Sequence, residues 1–254
     1  MLARDAQTLS VREQSILLGL YLSKFDIEGI SALGFSSFIE VYNTFALAIG
    51  TKPATIKNYR DELDPYFPNA RKGWHQRPLR DHCAKIFDKY KDADISTLQN
   101  MVCSFVSVPL TEDETSFHEQ AQALENTFAK RLITGKAAEN FFIENYFKES
   151  VFQASELVDV TQTGCGYDFR LHDKLKDVPF AVEVKGLRMN FGSLSMTDKE
   201  YRVANEIGDR YFLYVVKNFE EMPTAVNIRN PLKSSLAFNK HERVVTQISW
   251  RAAI

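Results

Sequence analysis

The stretch "GCGYDFRLHDKLKDVPFAVEVKG", residues 164–186, decides how this chain is read. Its last part alternates. Phe180, Val182 and Val184 fall on one face of a strand, and Ala181, Glu183 and Lys185 on the other. Two opposite charges therefore sit side by side at the end of an otherwise apolar strand, immediately before a glycine. Asp168 follows a Gly-x-Gly-Tyr turn, and fourteen residues separate it from Glu183, enough for a strand, a turn ("HDKLKDVP") and a return. Adjacent antiparallel strands lie ~4.8 Å apart, so both carboxylates can converge on one hard cation. Magnesium takes one or two carboxylates, with waters and substrate phosphate oxygens completing its shell. A lysine beside the acids has two jobs open to it: orienting or deprotonating a water, and stabilising charge that develops on a phosphate.

Outward from this stretch the elements follow from period. "VFQASELVDVT", "YDFRL", "FAVEVK", "YFLYVV" and "TAVNIR" read as strands, and "TDKEYRVANEIG" as a helix between the third and fourth. The third strand, that helix and the fourth strand make a βαβ unit. Upstream, "FHEQAQALENTFAKRLI" and "GKAAENFFIENYFKES" predict two helices broken at the glycine. The acidic run "PLTEDETSFHEQ" (109–120) marks a boundary. Before it, helical spacing recurs in "SVREQSILLGLYLSKF", "SSFIEVYNTFALAIG", "PATIKNYRDELDPYF", "LRDHCAKIFDKY" and "ISTLQNMVCSFV", with Ser10 and Glu13 spaced as a capping box. The expected fold is mixed α+β / α/β, with an all-helical domain over 1–110 and an αβββαβ mixed-sheet domain over 111–254.

Composition bounds the class. The 254 residues, 44% apolar and 25% charged, describe a globular protein with room for a substantial core. No apolar run is long enough to span a membrane, and the start has the pattern of no secretory signal. Cys83, Cys103 and Cys165 show no C-x-x-C spacing, and a reduced, cytoplasmic protein is expected. No G-x-x-x-x-G-K-[S/T] loop is present, which disfavours an ATP-driven motor. The net charge of −2 hides an uneven distribution: ten Lys/Arg against five Asp/Glu over 51–91, four against ten over 110–160, and a basic end after Pro223. Basic patches on a near-neutral chain suit a polyanion.

In "FALAIGTKPATIKNYRDEL", Ala46, Gly50 and Ile56 have the spacing of a helix-turn-helix, with Pro53 in the first turn of the second helix. Lys52, Thr55, Lys57, Asn58, Arg60 and Asp61 then fall on or beside a recognition helix, and Asn and Arg suit base edges. An ordinary helix pair has the same spacing. "NARKGWHQRPLRDHC" adds Arg71, Lys72, Arg77 and Arg80 around Trp74 and His75. The cations suit phosphate contacts, while Trp74 reads rather as a core anchor.

"GYDF", a spacer and "VEVKG", in this order of elements, resemble the PD-(D/E)xK nuclease superfamily, with Tyr167 where that motif has proline. More narrowly, "GYDFRL…AVEVKGL…GSLSMTDKEYRVANEIGDRYFLYVV" is similar to the nuclease-like domain at the C-terminus of NO VEIN-type proteins and in bacterial restriction proteins. The resemblance covers about residues 130–220. It implies Asp168 and Glu183 as metal ligands with the Val184 carbonyl as a third, Lys185 as the catalytic lysine, and Glu139 as a further acid on the preceding helix, ahead of Glu144. It implies a magnesium cofactor, with manganese able to substitute, and double-stranded DNA as substrate. Ser193, Ser195 and Thr197 sit where a loop meets the DNA backbone. His172 reads as a solvated turn residue and Cys165 as a turn or core residue. The function expected is a sequence-specific endodeoxyribonuclease of the restriction type, a possible homodimer, with a cognate methyltransferase as a partner in its system. The alternatives are a DNA-binding regulator on a degenerate nuclease scaffold and a structure-selective repair nuclease.

Overall fold

The computed structural model describes residues 8–71, 73, 77–106, 121–173, 178–242 and 250. Lys72, Trp74, His75 and the acidic stretch 109–120 lie outside them. The first half is helical: α1 (Val11–Ala32), α2 (Phe38–Ile49), α3 (Pro53–Leu63), α4 (Asp81–Tyr90) and α5 (Ile95–Cys103). Ser10 and Glu13 close the capping box at the start of α1. α1 is the hub. Ile16, Leu17, Leu18, Leu20, Tyr21 and Leu22 are fully buried, and the other four helices pack around it. It kinks at Asp26, whose backbone is left-handed (φ 46°).

The second half begins with α6 (Ala121–Asn145), followed by β1 (Ser155–Asp159), β2 (Phe169–Asp173), β3 (Phe180–Leu187), α7 (Asp198–Ile207), β4 (Tyr211–Lys217) and β5 (Thr224–Arg229). The sheet order is β1-β2-β3-β4-β5, antiparallel except for the parallel β3–β4 pair that α7 bridges. The class is α+β, with a five-stranded mixed sheet.

Two expectations change. A single helix, α6, replaces the predicted pair: it runs through Gly135, where a side chain would meet open space. Buried Ile133, Ala137 and Ala138 hold the helix to the core on either side of it, and their packing outweighs the glycine's weak propensity. His172 lies on β2 opposite Glu156, not in the turn, and is exposed as expected.

The alternation of β3 separates two packing layers. Phe180, Val182 and Val184 join the main core with α6, where Phe142 meets Phe169 and Tyr214 at centroid separations of 5.0 and 4.8 Å. Ala181 packs on the other face with Tyr211 and with Ala204 of α7. Gly186 decides how closely α6 lies on β3: a Cβ there would come within 2.9 Å of Thr134 Cγ2 and 3.0 Å of the Thr134 carbonyl oxygen.

One apolar cluster runs from α1 through α6 to Phe219, so both halves share it. Polar contacts fix their relation. Asn43 of α2 donates to the Phe219 and Glu221 carbonyls (2.9 and 2.7 Å), and Asn140 of α6 donates to those of Leu47 and Ala48 (2.8 and 3.2 Å). The buried Glu40 carboxylate takes Lys130 of α6 at 2.8 Å and Arg188, beyond β3, at 3.4 Å. Among the described residues, no helix is long and apolar enough to cross a membrane.

Candidate active site

Asp168 is held at three points. Its N–H donates to the Val182 carbonyl at 3.0 Å, its carbonyl accepts from Val160 N–H at 2.9 Å, and its Oδ2 accepts from Val184 N–H at 2.8 Å. Strand β2 begins only at Phe169, opposite Val182. Beyond that pair the carboxylate of Asp168 takes the N–H that a longer β2 would have engaged. A residue's N–H and C=O face the same edge of a strand, so the Val184 carbonyl also faces Asp168. The turn that leads into Asp168 depends on Gly166, at φ 96°, where a Cβ would lie 2.8 Å from Val203 Cγ2 of α7. Tyr211 Oη donates to the Gly166 carbonyl at 3.1 Å and fixes the turn from the sheet side.

On β3, Lys185 Nζ donates to Glu183 Oε1 at 2.6 Å, as expected for residues i and i+2 on one face. It also donates to Glu200 Oε2 at 2.9 Å. Glu200 belongs to α7. Its backbone N–H is capped by Thr197 Oγ1 at 3.2 Å, and its carboxylate returns to the Thr197 N–H at 2.9 Å. The capping box thus aims a carboxylate at the lysine. Glu139, on α6, pairs with Lys136 at 3.1 Å and is close enough to Asp168 for its charge to act there.

The electrostatics follow from burial and crowding. Burial is the main cause that raises the Asp168 carboxyl above its ordinary range. The Val184 N–H opposes it, and the Glu139 charge adds to it. Glu183 is raised further, by burial and then by the neighbouring Asp168 charge, with Lys185 pulling the other way. For Lys185, burial favours the neutral amine, but the ion pairs with Glu183 and Glu200 outweigh it and leave the ammonium more firmly protonated. Among the described residues, no set of three or more His, Cys, Asp or Glu side chains forms a metal-binding group on its own. Two carboxylates and a carbonyl are an incomplete shell of hard oxygens. That fits magnesium, whose remaining positions go to water and substrate oxygens.

The other sequence-derived candidates separate into two groups. α2 and α3 are joined at the positions the helix-turn-helix spacing picked out, a geometry an ordinary helix pair shares: Ala46 and Ile56 are fully buried, and Gly50 turns the chain in the left-handed region. Lys52, Lys57 and Asn58 are exposed and Thr55 half-exposed, whereas Arg60 is buried. Arg60 donates to Asp61 Oδ1 at 2.6 Å and lies 4.6 Å over the Phe38 ring. Arg71 grips Asp64 with two N–H groups (3.0 and 2.8 Å) and also pairs with Asp26 at the kink of α1. These two arginines are committed to the interior of the helical half. Arg77 is exposed, as are Ser193 and Ser195 on the loop after β3, while Thr197 serves as the cap of α7. Cys165 Sγ donates to the Tyr167 carbonyl at 3.4 Å in the turn, and Glu144 is exposed farther along α6.

Sequence reasoning missed Glu200. The signal was present as "TDKE", a Thr-x-x-Glu capping spacing, but a cap predicts a helix start and says nothing about a lysine from another element.

No curated protein and no solved structure matches the chain. Residues 138–228 match a family model, and they are the span that carries Glu139, Asp168, Glu183, Lys185 and Glu200: this part of the chain is similar to the family described as Protein NO VEIN, C-terminal.

Proposed function

We propose that the chain is a magnesium-dependent endodeoxyribonuclease of the PD-(D/E)xK kind, which hydrolyses DNA phosphodiesters to 5′-phosphate and 3′-hydroxyl ends. The observation that carries this reading is the convergence of Asp168, Glu183 and Lys185 at one end of β3. An acid held by a backbone N–H, a second acid raised by burial and crowding, and a lysine clamped between carboxylates together form the kind of perturbed cluster that marks functional sites.

Asp168, Glu183 and the Val184 carbonyl would hold the magnesium. When bound, it supplies neutralisation of charge on the phosphate and lowers the pKa of a water. Lys185 Nζ orients the attacking water and holds a proton at the site of attack. Glu200 acts through Lys185 as a positioning residue, and Glu139 adds negative charge on the α6 side. The exposed Lys52, Thr55, Lys57 and Asn58 of the helix-turn-helix are the groups suited to read DNA, which favours sequence-specific, restriction-type cleavage.

The test is cleavage of methylated and unmethylated phage DNA, with magnesium and with EDTA, by the unsubstituted protein and by Lys185→Ala. Discrete magnesium-dependent fragments should appear, and Lys185→Ala should slow their formation by about 10²–10⁴-fold. Cleavage unchanged in Lys185→Ala overturns the assignment. Tight DNA binding without cleavage on either substrate favours the non-catalytic DNA-binding module instead.

A further inference from the structure

Of the arginines that are not exposed, Arg60 has Asp61 and Arg71 has Asp64, and even the exposed Arg80 and Arg188 pair with Glu62 and Glu220. Arg170 is half-buried and has no carboxylate within ion-pair distance among the described residues. Its Nε and Nη2 both donate to the neutral Tyr167 hydroxyl, at 3.2 and 3.1 Å. Three of its five N–H donors have no partner among the described residues. Glu156, two residues along β1 from Arg170's cross-strand partner Val158, is exposed and makes no ion pair with it.

The position of Arg170 gives this unmatched charge a meaning. It stands two residues after Asp168 on β2, on the same face, and directly opposite Ala181, two residues before Glu183. Tyr167, which holds the guanidinium, packs against the cluster of Ala181, Ala204 and Tyr211. A cation thus stands on the same sheet face as the acidic cluster, one strand over from Glu183. Desolvating a guanidinium without a counter-charge is costly, and the cost is recovered when an anion arrives. A planar fork with free N–H groups matches two oxygens of a phosphate.

We infer that Arg170, oriented by the Tyr167 hydroxyl, is a phosphate-binding residue that grips the polynucleotide backbone beside the Asp168–Glu183 pair. This rests on the nuclease reading and adds to it the group that draws a polyanion towards a cluster of carboxylates that would otherwise repel it.

The experiment is fluorescence anisotropy of a labelled DNA duplex with the full chain in EDTA, over a salt series, comparing Arg170→Gln, Arg170→Lys and Tyr167→Phe with the unsubstituted protein. Arg170→Gln should weaken binding about 10-fold and flatten the slope of log affinity against log salt by about one. Arg170→Lys should restore the slope but only part of the affinity. Tyr167→Phe, which leaves the charge and removes its holder, should lose about 3-fold in affinity at unchanged slope, and it carries the test if Arg170→Gln does not fold. No duplex binding by the unsubstituted protein overturns both the nuclease reading and this inference. Lys185-dependent cleavage combined with unchanged affinity and slope in Arg170→Gln and Tyr167→Phe overturns this inference alone.

Discussion

The helical half and the sheet half both bury carboxylates, and they treat them in opposite ways. Among the described residues of the helical half, each of the buried acids Glu40, Glu62 and Asp64 is paired with a cation, that of Glu40 coming from α6. Glu62 takes the Arg80 N–H at 3.0 Å and Arg80 Nε at 2.8 Å. Asp64 takes a two-pronged Arg71, and Asp61 takes Arg60 and Lys57. Burial alone would raise Glu62 and Asp61, but their cations outweigh it and hold both below the ordinary carboxylate range. In the sheet half, Glu183 and Glu200 share the ammonium of Lys185 beside Asp168, and burial and mutual repulsion leave Asp168 and Glu183 raised. Matched charge joins helices, whereas the surplus of acid beside Lys185 is what the proposed metal would balance.

Three substitutions probe this contrast. The largest effect is expected from Arg71→Ala, which leaves the nearly fully buried Asp64, among the described residues, with Ser23, Asn69 and a distant Arg60 (3.7 Å). Urea unfolding at neutral pH should show a loss of about 3 kcal/mol. A much smaller loss would place Asp64 among the tolerated acids and weaken the contrast.

Asp168→Asn should act in the opposite direction. The ionised Asp168 is disfavoured in the fold, so its contribution to stability is greatest when it is protonated, at acid pH, and is lost as pH rises through its raised pKa. An asparagine oxygen can still accept the Val184 N–H. The variant should therefore match the parent in Tm near pH 3. Above that the gap should grow towards neutrality to about 1 kcal/mol in its favour, measured in EDTA, while magnesium-dependent cleavage is lost. A variant less stable than its parent at pH 8 breaks the comparison.

The smallest effect is expected at Lys57. Its 2.7 Å pair with Asp61 joins a side chain 54% exposed to an acid that Arg60 already neutralises. Lys57→Ala should change stability by no more than about 0.5 kcal/mol in the same urea assay, and a larger loss would mean that Asp61 depends on more than its buried arginine.

Legibility divides along the same line. The faces of β3 were readable because a strand has a period of two and cannot put Glu183 and Val184 on one side. Asp168 was readable because a glycine turn and a strand end bracket it. Glu200 was not, because it reaches Lys185 across a gap of fifteen residues that only the packing of α7 closes. Arg60 and Arg71 read as surface cations because arginine is by default exposed. Their commitment to Asp61 and Asp64 depends on how α1, α3 and the chain after α3 meet, which no local pattern encodes. The single helix α6 was hidden for a related reason: Gly135 weakens the helix locally, and the tertiary contacts on both sides restore it.

Asn140 gives this architecture a fixed spacing. It takes the last carbonyls of α2 just ahead of the Gly50 turn, while Glu139, the residue before it, borders Asp168. The α2–α3 pair and the acidic cluster are therefore mounted on adjacent residues of one rod, which sets the gap between them. On the nuclease reading proposed above, that gap would set how far from the helix pair a bound polymer meets the acids.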